Sequence, residues 1–256
     1  MTPGAITSYI DVAQLTLYGF WIFFAALIIY LRREDKREGY PLESDRASRV
    51  IVQGWPRMPA PKVFKLSHGG TYSAPNNRPE VGEPRARPFR KHLGAPLEPT
   101  GNPLVDGVGP AAYANRADVP DLTLDGTPKI VPLRVATDFS LQPRDPDPRG
   151  KQVVGADGVI GGTVRDVWVD RSEPQIRYLE LEVAAPGGAR RVLLPINMAR
   201  IRRREVTVNS LLGRHFADIP GLRHPDQVTL LVEDRICAYY AGGQLYARPY
   251  RFGPAL

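Results

Sequence analysis

The chain has 256 residues, 43% of them hydrophobic and 24% charged, with a formal net charge of +7. That length suits one domain or two small ones, and the basic balance suits an anionic membrane surface or a nucleic acid. A single cysteine, Cys237, excludes an internal disulfide and a cysteine metal cluster, and the four histidines lack the HxxxH or HExxH spacing of a histidine-built metal site.

Residues 12–31, VAQLTLYGFWIFFAALIIYL, run for twenty positions without a charge and stop at Arg32-Arg33. At about 1.5 Å per residue, one helix of this length crosses a hydrocarbon layer of about 30 Å. A cleaved signal peptide would place basic residues before the run and a small-x-small site after it. Residues 1–11 hold no Lys or Arg and the run ends in Tyr30-Leu31, so a transmembrane helix is expected. Arg32, Arg33, Lys36 and Arg37 follow it, against Asp11 alone before it, which predicts residues 1–11 on the periplasmic side and the body in the cytoplasm. Tyr9 and Tyr30 stand where interfacial aromatic belts form. Thr16, Gly19, Phe23 and Ala26 share a helix face whose three small residues allow close approach of a second helix; the plainer reading is that Gly and Ala are common in membrane helices.

Proline marks the next region. From Pro41 to Pro148 there are 18 prolines, against 8 in the rest of the chain. That density forbids long helices and central strands, yet VIV, KVFKL, IVPLRV and FSL interrupt it. Residues 32–150 are expected to form an extended stretch with short edge strands, laid on another surface; disorder is the alternative.

From Lys151 the texture changes. VVGADGVIGGTVRDVWVD reads as two strands joined at Asp157-Gly158, and Gly161-Gly162 reads as a turn. In RYLELEV, Leu179, Leu181 and Val183 alternate with Tyr178, Glu180 and Glu182, the pattern of a half-buried strand. RRVLLPI and EVTVNS continue it. DQVTLLVEDRICAYYAGGQLYA reads as a strand passing into a short helix, with Ile236, Tyr239 and Tyr240 on one face and Gly242-Gly243 as the stop. The predicted fold is a single N-terminal transmembrane helix with a mainly-β cytoplasmic domain, residues 151–256 forming a small antiparallel barrel and a C-terminal helix.

No nucleophile elbow, P-loop, dinucleotide fingerprint or zinc motif is present, so no enzyme activity is expected. Nor is there a helix-turn-helix, zinc-finger or RNP-type signature, so nucleic acid is not expected as a partner. Arg200, Arg202, Arg203 and Arg204 cluster, as a solvated face or as a lipid or partner contact. Asp166, Asp170 and Glu173 interleave with Arg165, Arg171 and Arg177; Asp121, Asp125, Glu233 and Asp234 supply further acids. A carboxylate carries protons when burial raises its pKa while a nearby Arg keeps it partly ionised; otherwise such acids are surface salt-bridge partners.

LRREDKREGYPL, GNPLVDGVGPAAY, KIVPLRVATDF, DPDPRG, DVWVDRSEPQIRYLELEV and EDRICAYYAGGQLYA together resemble, in order and over nearly the whole chain, the H subunit of the purple-bacterial photosynthetic reaction centre. Between residues 44 and 95 only PKVFKLSHGG contributes. The resemblance implies a PRC-type barrel and a subunit that caps the cytoplasmic face of the L and M subunits. Those subunits would hold bacteriochlorophyll, bacteriopheophytin, quinones, non-haem iron and carotenoid, with no cofactor held directly by this chain. It implies quinone shielding and proton delivery to the secondary quinone, membrane lipids as neighbours, and the intracytoplasmic membrane as location. It leaves open a cytochrome subunit and light-harvesting antenna in the same complex.

Residue by residue, Glu173 matches the family's relay glutamate in WVDxxExxxR, here Trp168 to Arg177, and Asp170 and Arg177 match theirs. Asp125 lies where the family has an intake-side aspartate, with shifted spacing; Asp121 stands near an upstream acid and Glu233 matches an acid of EDxIC. Some members carry two surface histidines after the LDG aspartate, where this chain has Thr127-Pro128. A generic membrane-tethered adaptor is the alternative, separated by the absence of co-purifying near-infrared pigment.

Overall fold

Asp11 caps the first helix, α1 (Val12–Asp35), its side chain accepting the backbone N–H of Gln14 at 2.7 Å. The computed structural model describes residues 4, 6, 11–37, 42–44, 47–52, 54–66, 69–76, 84–92 and 95–248; Tyr9 and His68 lie outside them. α1 is long and apolar enough to cross a membrane, and none of its residues is buried by the protein. It runs one turn past the apolar stretch, where Arg32 and Arg33 suit the negative end of the helix dipole.

Two compact units divide the chain, one of Met1–Val81 with His92–Gly94, the other of Gly82–Lys91 with Ala95–Leu256. In the first, the chain leaving α1 is fixed by charge. The buried Lys36 Nζ donates to the carbonyls of Gly54 (3.2 Å) and Pro56, and Glu34 accepts from Arg37 (2.8 Å) and Lys62 (2.6 Å). Two antiparallel hairpins follow, β1 (Leu42–Ser44) with β2 (Ala47–Val52) and β3 (Lys62–Lys65) with β4 (Thr71–Ala74).

The second unit holds β5 (Ala86–Pro88), β6 (Leu97–Pro99), the single-turn α2 (Pro103–Asp106), β7 (Ile130–Pro132), β8 (Gln152–Val154), β9 (Ile160–Asp170), β10 (Gln175–Ala185), β11 (Gly188–Pro195), β12 (Ala199–Ile201), β13 (Glu205–Val208) and α3 (Leu230–Tyr246). β5 and β6 pair with each other, and the main sheet runs β11-β10-β9-β8-β13-β12 with β7 also on β9. The result is a half-barrel of the expected mainly-β class. One pair departs from the antiparallel expectation: β8 and β13 are parallel, Gln152 opposite Glu205. The intervening β9–β12 segment supplies the long crossover that a parallel pair requires.

Asp157-Gly158 makes the predicted turn between β8 and β9, but Gly161 and Gly162 lie within β9. There a Cβ on Gly161 would overlap the Phe216 ring, so close approach rather than turning selects glycine. Leu179, Leu181 and Val183 face the core as predicted, each worth about 1.5–3 kcal/mol when fully buried. Tyr178 and Glu180, expected on the solvent face, are buried too. The reason is tertiary: α3 meets Tyr178 through Glu233, and the segment behind β7 brings Arg134 to Glu180, while Val131, Ala136 and Val169 form a second small core. The proline-rich stretch therefore does not stop at residue 150 as a separate layer; Leu104 and Ile130 belong to the main core, with Leu141 packed against it.

α3 also corrects the sequence reading. Thr229 caps it, its Oγ1 accepting the Val232 N–H at 3.2 Å, and pairs with Pro120 only as an isolated bridge, so no strand precedes the helix. The helix runs through Gly242 and Gly243 instead of stopping there. A Cβ at Gly242 would stand 2.5 Å from the Ala111 Cβ, and one at Gly243 would meet the Ser210 carbonyl. Both glycines serve close packing.

Candidate functional site

β9 ends at Asp170, whose side chain is 2% exposed. Its Oδ1 accepts the backbone N–H groups of Ser172 (2.9 Å) and Glu173 (3.1 Å), a side-chain turn that reverses the chain into β10. A buried carboxylate needs a counter-charge, and Lys129 Nζ stands 3.5 Å from Oδ2. The same ammonium is 3.8 Å from Asp121 Oδ2. Main-chain bonds hold Lys129 between the two acids: its N–H donates to the Asp121 carbonyl (2.8 Å), and its carbonyl accepts from the Arg171 N–H (3.0 Å).

Early in β10 the register slips. Ile176 pairs with Val169 and Tyr178 with Trp168, leaving Arg177 as the extra residue of a bulge, a device that re-aims side chains. The Tyr178 hydroxyl donates to Glu233 Oε1 at 2.6 Å. Glu233 sits in the first turn of α3, where negative charge is favoured. Burial pushes its carboxyl above the usual range; the Tyr178 hydroxyl and the charges of Arg177 and Arg116 oppose this, and Asp121 adds to it. Burial, with Glu233 alongside, also pushes the Tyr178 phenol far up, so it remains a neutral donor.

The structure thus gathers Asp121, Asp170, Arg177 and Glu233 around Lys129 and Tyr178. Glu173 stands exposed on the same turn as Asp170, its Oε2 accepting from Gln175 Nε2 at 3.0 Å. Asp125 is not drawn in: it is exposed on a turn closed by the Thr123 N–H to the Thr127 carbonyl (2.8 Å). Lys129, Tyr178 and Arg116 escaped the sequence reading. Lys129 lies at the head of KIVPLRV, and alternation alone places Tyr178 on the wet side of its strand.

Asp166 belongs elsewhere. Arg134 Nη1 lies 2.9 Å from Asp166 Oδ2 and 2.7 Å from Glu180 Oε2, and Glu180 also accepts from Trp168 Nε1 (2.9 Å) and Arg191 Nη1 (2.6 Å). This network lines a cavity of about 1130 Å³ to which none of the six sequence-predicted residues contributes. A smaller cavity, about 470 Å³, is lined by Thr127, Pro128, Arg171, His224 and Asp226, among others. In the first, cations and carboxylates are already matched to each other, the mark of a structural network. The Lys129 group differs, since one ammonium is shared between two acids beside a third acid held toward its protonated form.

Residues 4–135 match the family described as photosynthetic reaction centre, H-chain N-terminal region, and residues 143–214 match the PRC-barrel domain. The first match covers α1, β7 and the Asp121–Lys129 loop; the second covers the half-barrel from β8 through β13. With more than half of its length matched by the first, the chain belongs to the photosynthetic reaction-centre H-chain family.

Proposed function

We propose that this reaction-centre subunit is a non-catalytic cap that shields the quinone sites of the L and M subunits and conducts protons toward the secondary quinone. The observation that carries the reading is Lys129, set between Asp121 and Asp170, the latter on the turn that carries Glu173. Protons move singly between carboxylates, or through waters, when neighbouring acids differ little in free energy between their two states. Lys129 places one positive charge between Asp121 and Asp170, while burial holds Glu233 toward its protonated form. Arg177 and Arg116 oppose the effect of burial on Glu233, and the Tyr178 hydroxyl donates to its carboxylate.

Glu173, exposed at the end of the turn, is the relay group on the quinone side, and Asp125, exposed on its own turn, is the intake-side acid. Pigments, quinones and non-haem iron are assigned to L and M. α1 spans the inner membrane with residues 1–11 periplasmic, and Thr16, Gly19 and Ala26 are the face turned to a neighbouring helix. Near-infrared pigment co-purifying with the detergent-solubilised chain tests the assembly. For the relay, Glu173→Gln slows the second, proton-coupled reduction of the quinone while the complex still assembles; unchanged kinetics of that step would return Glu173 to a surface role.

A further inference from the structure

The turn between β12 and β13 gathers positive charge. Arg202, Arg203 and Arg204 form the turn, Arg200 precedes it on β12, and all four are exposed. The turn is pinned: the Arg202 N–H donates to the Glu205 carbonyl at 2.8 Å, Ile201 pairs with Val206, and Lys151 Nζ donates to the Arg202 carbonyl at 3.0 Å. Lys151 thereby adds a fifth cation to the same tip. Among the described residues, none of the four arginines has a carboxylate within ion-pair distance, and Lys151 feels the charge of Asp147. Elsewhere on the sheet Arg134, Arg165 and Arg191 are each tied to Asp166, Glu180 or Glu182.

Like charges on one short turn repel, and strand pairing keeps their backbone positions together. An array of anions facing the tip relieves the repulsion, and a guanidinium matches the paired oxygens of a phosphodiester. We propose that this turn rests on the anionic phospholipid headgroups of the membrane that holds the complex. A leaflet is the polyanion always within reach of a membrane-bound subunit, and Ile201, the one apolar residue at the tip, is half-buried, which suits contact at headgroup level without insertion. Topology favours the same side. β8 runs antiparallel to β9 and parallel to β13, so Lys151 and the turn stand at the end of the sheet toward which β9 runs to Asp170. To that extent the inference rests on the relay reading, in which that end faces the membrane-buried quinone.

The test uses the intact complex in lipid nanodiscs of phosphatidylcholine alone, or of phosphatidylcholine and phosphatidylglycerol at about 3:1, to vary surface charge. Each carries a trace of lipid with a photoactivatable headgroup, and adducts on residues 199–208 are quantified against those near Arg32-Arg33. Adducts at the turn are expected in the anionic discs, falling about fivefold for each arginine neutralised, as in Arg203→Gln, and further at about 0.5 M salt. Replacing all four arginines with lysine retains most of the yield, whereas four glutamines abolish it. Equal yield in both lipid compositions, or no adduct at the turn while Arg32-Arg33 is labelled, overturns the proposal. So does competition by a soluble polyanion such as heparin that binds the turn in discs giving no lipid adduct. Quinone reduction kinetics in the same discs separate the two readings: normal kinetics without turn adducts refutes the headgroup contact alone, and adducts with a silent Glu173→Gln refutes the relay alone.

Discussion

Tyr178→Phe isolates one bond of the proposed relay. Phenylalanine keeps the ring in its buried site between β10 and α3, so no sizeable cavity forms, and only the hydroxyl that donates to Glu233 at 2.6 Å is lost. A hydrogen bond to a charged group contributes about 1.5–3 kcal/mol. Arg116 and Arg177 continue to act on Glu233 and its carboxyl is not fully enclosed, so the lower part of that range applies, about 1.5–2 kcal/mol. That is roughly a ten- to thirtyfold fall in the folding constant.

The loss depends on pH with a definite sign. The folded carboxyl of Glu233 lies above its unfolded value, so the stability this group contributes is fully present below the unfolded value and is lost as pH rises through the folded one. The Tyr178 hydroxyl softens that loss by favouring the ionised form. Removing it therefore destabilises more at about pH 8 than at about pH 5. Urea unfolding of the purified chain in mild detergent, followed by tryptophan fluorescence at both pH values, gives the two numbers. A change below about 0.5 kcal/mol, or an equal change at both pH values, refutes the assignment of this bond as one to an ionisable acid.

Lys129→Met removes the ammonium between Asp121 and Asp170 and is expected to slow the proton-coupled second quinone reduction about tenfold, whereas Lys129→Arg keeps most of the rate. Flash kinetics distinguish the two, and equal rates in both variants count against a role for the charge. Arg134→Met leaves Asp166 and Glu180 buried with one cation fewer; because Arg191 still holds Glu180, a destabilisation of about 2 kcal/mol is expected from the same urea assay. Proton uptake is expected to show weak or absent inhibition by zinc or cadmium. Thr127-Pro128 replaces the histidine pair, one imidazole, His224, lines the adjacent cavity, and among the described residues no group of three His, Cys, Asp or Glu side chains is placed to hold a metal. Strong block at low metal concentration sinks this expectation.

Local pattern and tertiary packing divided the information in this chain along physical lines. The apolar run before Arg32 specified α1, the Asp157-Gly158 turn joined two strands, and Leu179, Leu181 and Val183 marked the inward face of β10, because each depends on neighbours a few residues away. The family resemblance singles out Asp121, Asp170, Arg177 and Glu233, and the fold brings them together. What the sequence did not contain was the second face of β10. Alternation puts Tyr178 and Glu180 in solvent, but α3 meets Tyr178 and the segment behind β7 meets Glu180, contacts between residues far apart in the chain. Gly242 and Gly243 read as a stop in isolation but lie within α3, because Ala111 and Ser210 approach from distant segments. Lys129 is the sharpest case. Nothing near it in sequence says that it will stand between Asp121 and Asp170; the pairing of β7 with β9 decides that. A shared ammonium between two acids exists only after the sheet has formed.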